Sequence, residues 1–335
     1  MFPGLRSVHS LPVLLCASVT LTSCTAPGEP IAPTVTSATV TTKKGADDAM
    51  WSAWSTPENL GSVINTDAIE QHPTISRDGR SLYFASDRPG TMGGLDIWVS
   101  QRASVDDAWG PPVNLGASIN SPANDLAVAF SPDRHVMYYH SAGRGGCGGS
   151  DLFATRRKRV KDDLGWDVAV NLGCAVNSPF EDAGPTIWED ESTGVTTMLF
   201  NTTRPGGPGN FDIYQTTRVG DDGVWSTPTL VPELSGPFRD TRTTISRDQL
   251  TLFISSDVGG RIGGIGGQDV WMSTRPSTES PWSTPVNLGA VVNSATFDGA
   301  PSISWDGTEL YFFSDRAGGY GRNDLYVTRR KRLHS

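Results

Sequence analysis

Apolar residues in this chain come in short, strand-sized runs separated by turn residues. Nowhere does the helical spacing i, i+3, i+4, i+7 persist for more than a few residues. The runs recur in a fixed order. The last copy, Trp282 to Arg330, reads WSTPVNLGAVVNSATFDGAPSISWDGTELYFFSDRAGGYGRNDLYVTRR, and segments beginning at Trp54, Trp109, Trp166 and Trp225 align with it. Each copy carries an apolar run, an Asp-containing turn, a second run with aromatics, a Gly-rich loop and a third run that opens with Asp. The third runs are Asp96-Ile97-Trp98, Asp151-Leu152-Phe153, Asp212-Ile213-Tyr214, Asp269-Val270-Trp271 and Asp324-Leu325-Tyr326. In every one an Arg follows at the same offset: Arg102, Arg157, Arg218, Arg275 and Arg330.

Self-similarity at a period of about 55 residues marks a fold of repeated units. Four strand-sized runs per copy predict one four-stranded blade each, and turns such as Ser76-Arg77-Asp78-Gly79 and Ser304-Trp305-Asp306-Gly307 predict tight hairpins. One blade cannot cover both of its apolar faces, so the blades must stack and close into a ring. The Trp-x-x-Pro segment follows the third strand and is therefore the outermost strand of the blade before it. The copy at Trp54 has no blade before it, while the last blade runs out near Arg330, so residues 54–60 are predicted to complete the last blade. The expected fold is all-β, a five-bladed β-propeller in one domain over residues 51–335.

The pattern Ser-x-Asp-Gly, then Leu-Tyr-Phe-x-Ser-Asp-Arg, Gly-Gly and Asp-Ile-Tyr resembles the WD40-like repeat of TolB-type propellers found in bacterial envelope lipoproteins. Residues 54–330 carry it. The third copy departs from it with Trp188-Glu189-Asp190-Glu191 and an insertion, and the fourth reads Leu230-Val231-Pro232 in place of Asn-Leu-Gly. The resemblance implies a fold and says little about activity, because propellers serve both as binding platforms and as enzyme scaffolds.

Composition agrees with many turns: 37 Gly, 23 Pro and 19% charged residues. A net charge of −9 offers no cationic surface for nucleic acid. Ahead of the repeats, Arg6 precedes an apolar run, Leu11 to Leu21, too short to span a bilayer, which reads as an export signal over residues 1–24. Its end, Leu21-Thr22-Ser23-Cys24, resembles the bacterial lipobox and implies Cys24 as the lipidated residue. Residues 25–50, rich in Thr, Ala and Pro, read as a flexible tether. The expected location is the bacterial envelope, at the outer membrane, with the membrane engaged through the lipid alone. Export permits a disulfide between Cys147 and Cys174, which fall in loops of neighbouring repeats; two free thiols is the alternative.

Most repeated polar residues belong to the fold, and Asp87, Asp257 and Asp315 read as turn residues. One set invites chemistry. A carboxylate stands before each innermost strand: Glu70, Asp125, Asp182, Asp240 and Asp298. Five carboxylates at one height predict an acidic ring at a channel mouth, able to hold Ca²⁺ or a polyhydroxylated or cationic ligand; the plainer alternative has each accepting backbone N–H bonds from its own entry loop. Two residues on, the copies differ: His72, Ala127, Gly184, Arg242 and Ala300. Such broken symmetry is what a ligand site needs, so His72 and Arg242 join the candidate site. No Ser or Cys nucleophile, zinc spacing or phosphate loop is present, and no cofactor is expected apart from Ca²⁺. The leading expectation is a non-enzymatic platform for an envelope protein, peptide or glycan. The alternative is a carbohydrate-active enzyme, hydrolase or lyase, using carboxylates at the channel mouth.

Overall fold

The computed structural model describes residues 51–221, 223–257 and 261–333. The signal, Cys24 and the tether lie outside them. The described chain enters through β1 (Glu58–Asn59) and builds four complete blades. Blade 1 is β2 (Glu70–Ile75), β3 (Ser81–Ser86), β4 (Asp96–Gln101) and β5 (Val113–Asn114). Blade 2 is β6 (Asp125–Phe130), β7 (Val136–Ser141), β8 (Asp151–Arg156) and β9 (Val170–Asn171). Blade 3 is β10 (Asp182–Asp190), β11 (Val195–Thr202), β12 (Asp212–Val219) and β13 (Thr229–Leu230). Blade 4 is β14 (Asp240–Ile245), β15 (Thr251–Asp257), β16 (Gln268–Thr274) and β17 (Val286–Asn287). Blade 5 holds β18 (Asp298–Ile303), β19 (Glu309–Ser314) and β20 (Asp324–Arg329), and takes β1 as its outermost strand. Glu58 pairs with Val327 and Asn59 with Tyr326, so the N-terminal strand closes the ring as the repeat arithmetic requires.

The core is five separate layers, one between each pair of neighbours. Side chains of a strand alternate between its faces. Leu82 and Phe84 therefore pack with Tyr311, Phe313 and Leu325 of blade 5, while Tyr83 between them packs with Val128, Met137 and Tyr139 of blade 2. Each buried aromatic contributes roughly 2–3 kcal/mol.

The repeated polar residues hold the blades' edges. Each Arg that follows the third strand lies over the Trp that leads into its blade's outermost strand: Arg102 over Trp109 at 4.3 Å, Arg157 over Trp166 at 4.4 Å, Arg218 over Trp225 at 4.7 Å, Arg275 over Trp282 at 4.3 Å and Arg330 over Trp54 at 4.6 Å. The Asp opening each third strand is clamped by the outermost strand's Asn: Asn114 donates to Asp96, Asn171 to Asp151, Asn287 to Asp269 and Asn59 to Asp324, at 2.7–2.8 Å. Blade 3 has Leu230 in that place, the departure visible in the sequence. Burial, unrelieved by an amide clamp, pushes the Asp212 carboxyl up.

A glycine in each second loop meets the next blade. A Cβ on Gly93, Gly148, Gly209, Gly266 or Gly321 would fall inside the following blade's entry backbone, for example on Pro122 or Phe180. Cys147, in the β7–β8 loop, is disulfide-bonded to Cys174, in the connection leaving β9 for blade 3, with Cα atoms 5.5 Å apart. The bond joins a loop of blade 2 to the segment through which the chain departs for the next blade. One tie escapes any reading of the repeats. Asp163, in the β8–β9 insertion, accepts bonds from Ser81, Tyr83, Gln101 and Arg157 and so fastens blade 2 to blade 1.

Candidate functional site

The five inner-strand carboxylates do stand at the heads of β2, β6, β10, β14 and β18, but they do not face the channel. Glu70, Asp125, Asp182, Asp240 and Asp298 are 0–1% exposed. Each accepts the amide of the residue four before it, from Thr66, Ser121, Ser178, Gly236 and Ser294. Four also receive an arginine: Arg88 on Glu70 at 3.0 Å, Arg204 on Asp182 at 2.6 Å, Arg261 on Asp240 at 2.9 Å and Arg316 on Asp298. At Asp125 the matching Arg144 is drawn instead to the carbonyls of Ala117, Ile119 and Asn120, and burial pushes the Asp125 carboxyl up. The expected acidic ring is thus a set of internal struts, each bonded to its own entry loop, with Asp125 Oδ1 left without a partner among the described residues. Among the described residues no group of three or more His, Cys, Asp or Glu side chains is placed to hold a metal ion.

His72 and Arg242 do reach the channel, and the reason is a bulge. The pairing of each inner strand with its neighbour shifts at one place, for instance between Gln71 and Thr74 and between Thr241 and Thr243. The residues at those shifts, His72, Ala127, Gly184, Arg242 and Ala300, all have φ between +39° and +62°. Only glycine adopts this region freely, so the four others carry a cost of about 1–2 kcal/mol each. The bulge re-aims the side chain toward the axis. The following amides are caught by a second ring of variable residues on the second strands: Gly184 N donates to His140 Nδ1 at 3.3 Å, Arg242 N to Asn201 Oδ1 at 3.2 Å and Ala300 N to Ser255 Oγ at 2.7 Å. This ring was not among the sequence candidates. Its signal is the residue before the Ser or Thr that ends each second strand, which differs in every copy: Ala85, His140, Asn201, Ser255 and Phe313.

Arg242 fills the axis. It is 4% exposed, reaches across from blade 4, and donates to the Ala127, Val128 and Pro185 carbonyls and to Thr74 Oγ1 at 2.7–3.2 Å. It has no carboxylate partner among the described residues, and burial pushes its pKa down to about 9, leaving it charged at neutral pH. Its Nε and His72 Nδ1 are buried and have no hydrogen-bond partners among the described residues. His72 and His140 stand edge to face, ring centres 6.2 Å apart. Burial, reinforced by the Arg242 charge, holds both imidazoles neutral: His140 is pushed down to about 3 and His72 well below its usual value.

Above Arg242 lies a cavity of about 370 Å³ at the end where the inner strands begin. Its rim is built by stitches between blades, the residue before one third strand pairing in parallel with the residue before the next inner strand. Ser150 pairs with Glu181, Phe211 with Arg239, Gln268 with Phe297 and Asn323 with Ile69. Seven of these eight face the cavity, Ile69 being the exception, together with Gln71, Asn201, Thr241 and Asp315. Arg239 lies over the Phe211 ring at 5.3 Å, and Asp315 Oδ1 accepts the Phe297 amide at 2.7 Å. Glu181 and Asp315 are exposed, in contrast to the buried struts. Aromatic faces, amides and two exposed carboxylates are a set suited to a polyhydroxylated ligand.

Below Arg242 the channel opens into a wider depression of about 1050 Å³, lined by the hairpin turns. Several of its charged groups are committed to one another. Arg77 and Arg247 flank Trp305 at 3.9 and 5.3 Å, and Arg157 is paired with Asp163 at 2.6 Å. The variable bulge residues and their unpaired atoms favour the narrower mouth.

Solved structures share this architecture. An α-L-arabinofuranosidase from Podospora anserina, determined with cellotriose, superposes with a TM-score of 0.52 at 12% identity, over 84% of this chain and 96% of that one. The catalytic domain of a glycoside hydrolase family 62 α-L-arabinofuranosidase from Coprinopsis cinerea gives 0.54 at 10% identity, over 85% and 98%. Bacillus subtilis levansucrase gives 0.54 at 12%, over 83% and 86%. At such identities the likeness is one of fold, a five-bladed β-propeller. No family model matches the chain. No curated protein matches it either. The expectation of a platform without catalytic activity is corrected here: the propellers that this chain is similar to are two α-L-arabinofuranosidases and a levansucrase, all of them enzymes.

Proposed function

We propose that the protein is a carbohydrate-active enzyme that cleaves a glycosidic bond at the mouth where the inner strands begin. The observation that carries this reading is that two exposed carboxylates, Glu181 of blade 3 and Asp315 of blade 5, face one cavity walled by Phe211, Phe297 and amides. Glycoside cleavage needs one carboxyl to protonate the leaving oxygen and one carboxylate to attack or to activate water. Asp315, already accepting the Phe297 amide, is held in acceptor geometry and takes the base or nucleophile role. Glu181 is the proton donor. The aromatic rings stack on sugar faces, and Gln71, Asn201 and Gln268 supply hydrogen bonds to hydroxyls. The test is reducing-end release from a panel of aryl glycosides and plant and microbial polysaccharides. Glu181→Gln and Asp315→Asn are each expected to lower kcat by about 10²–10⁴-fold, with unchanged melting curves. Full turnover in both variants, or no turnover of any substrate by the native chain, overturns the reading.

The proposal extends to place. The protein is an exported, envelope-bound member of the WD40-like, TolB-type propellers that its repeats resemble, tethered through lipid on Cys24. The Cys147–Cys174 disulfide supports an oxidising compartment, and the lipobox-like Leu21-Thr22-Ser23-Cys24 supports the anchor. Cys24→Ala is expected to move the protein from the membrane fraction to the soluble one; retention in the membrane rules out the lipid.

A further inference from the structure

The cavity is graded in charge. Its two carboxylates, Glu181 and Asp315, are exposed at the rim, while Arg242, 4% exposed, lines it at the axis, the terminal guanidinium nitrogens bound to Thr74, Val128 and Pro185, which line the wider cavity on the other side. Among the described residues no carboxylate neutralises that guanidinium. Arg242 is held by three carbonyls and a hydroxyl, all uncharged, and no carboxylate among the described residues forms an ion pair with it. A buried cation without a counter-ion is costly, and it persists where a ligand or partner supplies the opposite charge. Two further atoms at the same place are short of partners, Arg242 Nε and His72 Nδ1. A second guanidinium, Arg239, overlooks the cavity from the rim; it is exposed, lies over Phe211 and forms no ion pair with any described residue.

We propose that this axial end of the cavity is a carboxylate subsite, so that the sugar bound in the mouth is a uronic acid residue. The inference rests on the carbohydrate reading above and names its substrate class. The acid group descends toward Arg242 and His72, with Arg239 closing over it, while the ring lies between Phe211 and Phe297 and its glycosidic oxygen stays at the level of Glu181 and Asp315. Neutral sugars would leave the two buried nitrogens unpaired and the cation uncompensated, which is the kind of mismatch that separates closely similar ligands. A cavity of this size suits a terminal residue of a chain, with the rest of the polymer outside.

Calorimetric titration of the full chain separates the possibilities. The probes are trigalacturonate and trimannuronate, each compared with its fully methyl-esterified form, and xylotriose as a neutral oligosaccharide. Charged hydrogen bonds contribute about 1.5–3 kcal/mol, so at least one acid is expected to bind 10-fold or more tighter than its ester. Arg239→Gln, at an exposed position where folding is not at stake, is expected to erase most of that difference. If xylotriose binds and neither acid exceeds its ester, the carboxylate subsite is wrong and the carbohydrate reading stands. If an acid is preferred and Arg239→Gln removes the preference, but no polymer is cleaved, the subsite stands and the catalytic reading fails. If the preference survives Arg239→Gln undiminished, the rim residue takes no part and the closure over the acid is wrong.

Discussion

Arg242→Ala is expected to destabilise the propeller by about 3 kcal/mol and to join the two cavities into one water-filled channel. The guanidinium leaves blade 4 and binds groups of blades 1, 2 and 3, so one side chain ties four blades at the axis. Its removal takes the guanidinium from the Ala127 and Pro185 carbonyls, while Thr74 Oγ1 still donates to the Val128 carbonyl at 2.7 Å, and a buried polar group that loses its partner costs about 1–3 kcal/mol. Two effects pull the other way: water entering the vacated channel re-solvates part of these groups, and the cost of burying an uncompensated cation disappears. The balance falls short of the full sum and remains a large share of a domain's stability. Lysine is a poor replacement, since a single ammonium cannot meet four acceptors spread over three blades. Urea denaturation gives the stability change. The histidines report the electrostatic part, because the Arg242 charge is the second cause, after burial, of the fall in both imidazole pKa values. Both should titrate higher in the variant by NMR. A melting curve identical to that of the native chain would show that Arg242 is not the axial tie.

Much of this site was within reach of the sequence, although the chemistry was read onto the wrong ring. The blade count and the closure by residues 54–60 follow from repeat arithmetic, because a fold built from one unit must repeat its Trp, Asp and Arg at fixed offsets. The same regularity misled at Glu70, Asp125, Asp182, Asp240 and Asp298. A residue needed by every blade is more often a strut than a ligand, and these accept their own entry-loop amides. Their channel-facing neighbours are the ones that vary. His72 and Arg242 were visible for that reason. His140, Asn201, Glu181 and Arg239 were not, because placing them needs the bulge in each inner strand and the parallel stitch between blades. Neither feature has a sequence mark: a left-handed alanine at position 127 or 300 looks like any other alanine. Asp315 was read as a turn residue, which it is; its exposure to the cavity depends on the ring being closed.

Acid should weaken this protein well above the range in which its carboxylates titrate, and the two buried histidines, His140 and His72, should be the cause. In the folded chain its Nδ1 accepts the Gly184 amide, a bond that only the neutral ring can accept, and the ring sits beside Arg242 with a pKa near 3 against an ordinary value of 6.5. The unfolded chain therefore takes up a proton on this side chain as the pH falls through 6.5, while the folded chain does not until about 3. His72 behaves likewise, with burial first and then Arg242, His140 and Arg239 opposing its proton. Between those limits the unfolded state binds more protons, so stability is complete above pH 6.5 and falls steadily as the pH drops. Each pH unit in this window costs about 1.4 kcal/mol per histidine, on the order of 3 kcal/mol from His140 alone between neutrality and pH 4. Asp125, Asp212 and Asp257, whose carboxyls burial pushes up, act in the opposite sense and offset part of the loss. The difference between the native chain and His140→Gln isolates the histidine, since the glutamine oxygen still accepts the Gly184 amide but carries no titrating group. Urea midpoints measured every half unit from pH 4 to 7.5 should therefore show a flatter slope in His140→Gln than in the native chain, with the His72 share remaining. Parallel slopes would mean that His140 titrates normally in the fold, and that the Arg242 charge does not reach it.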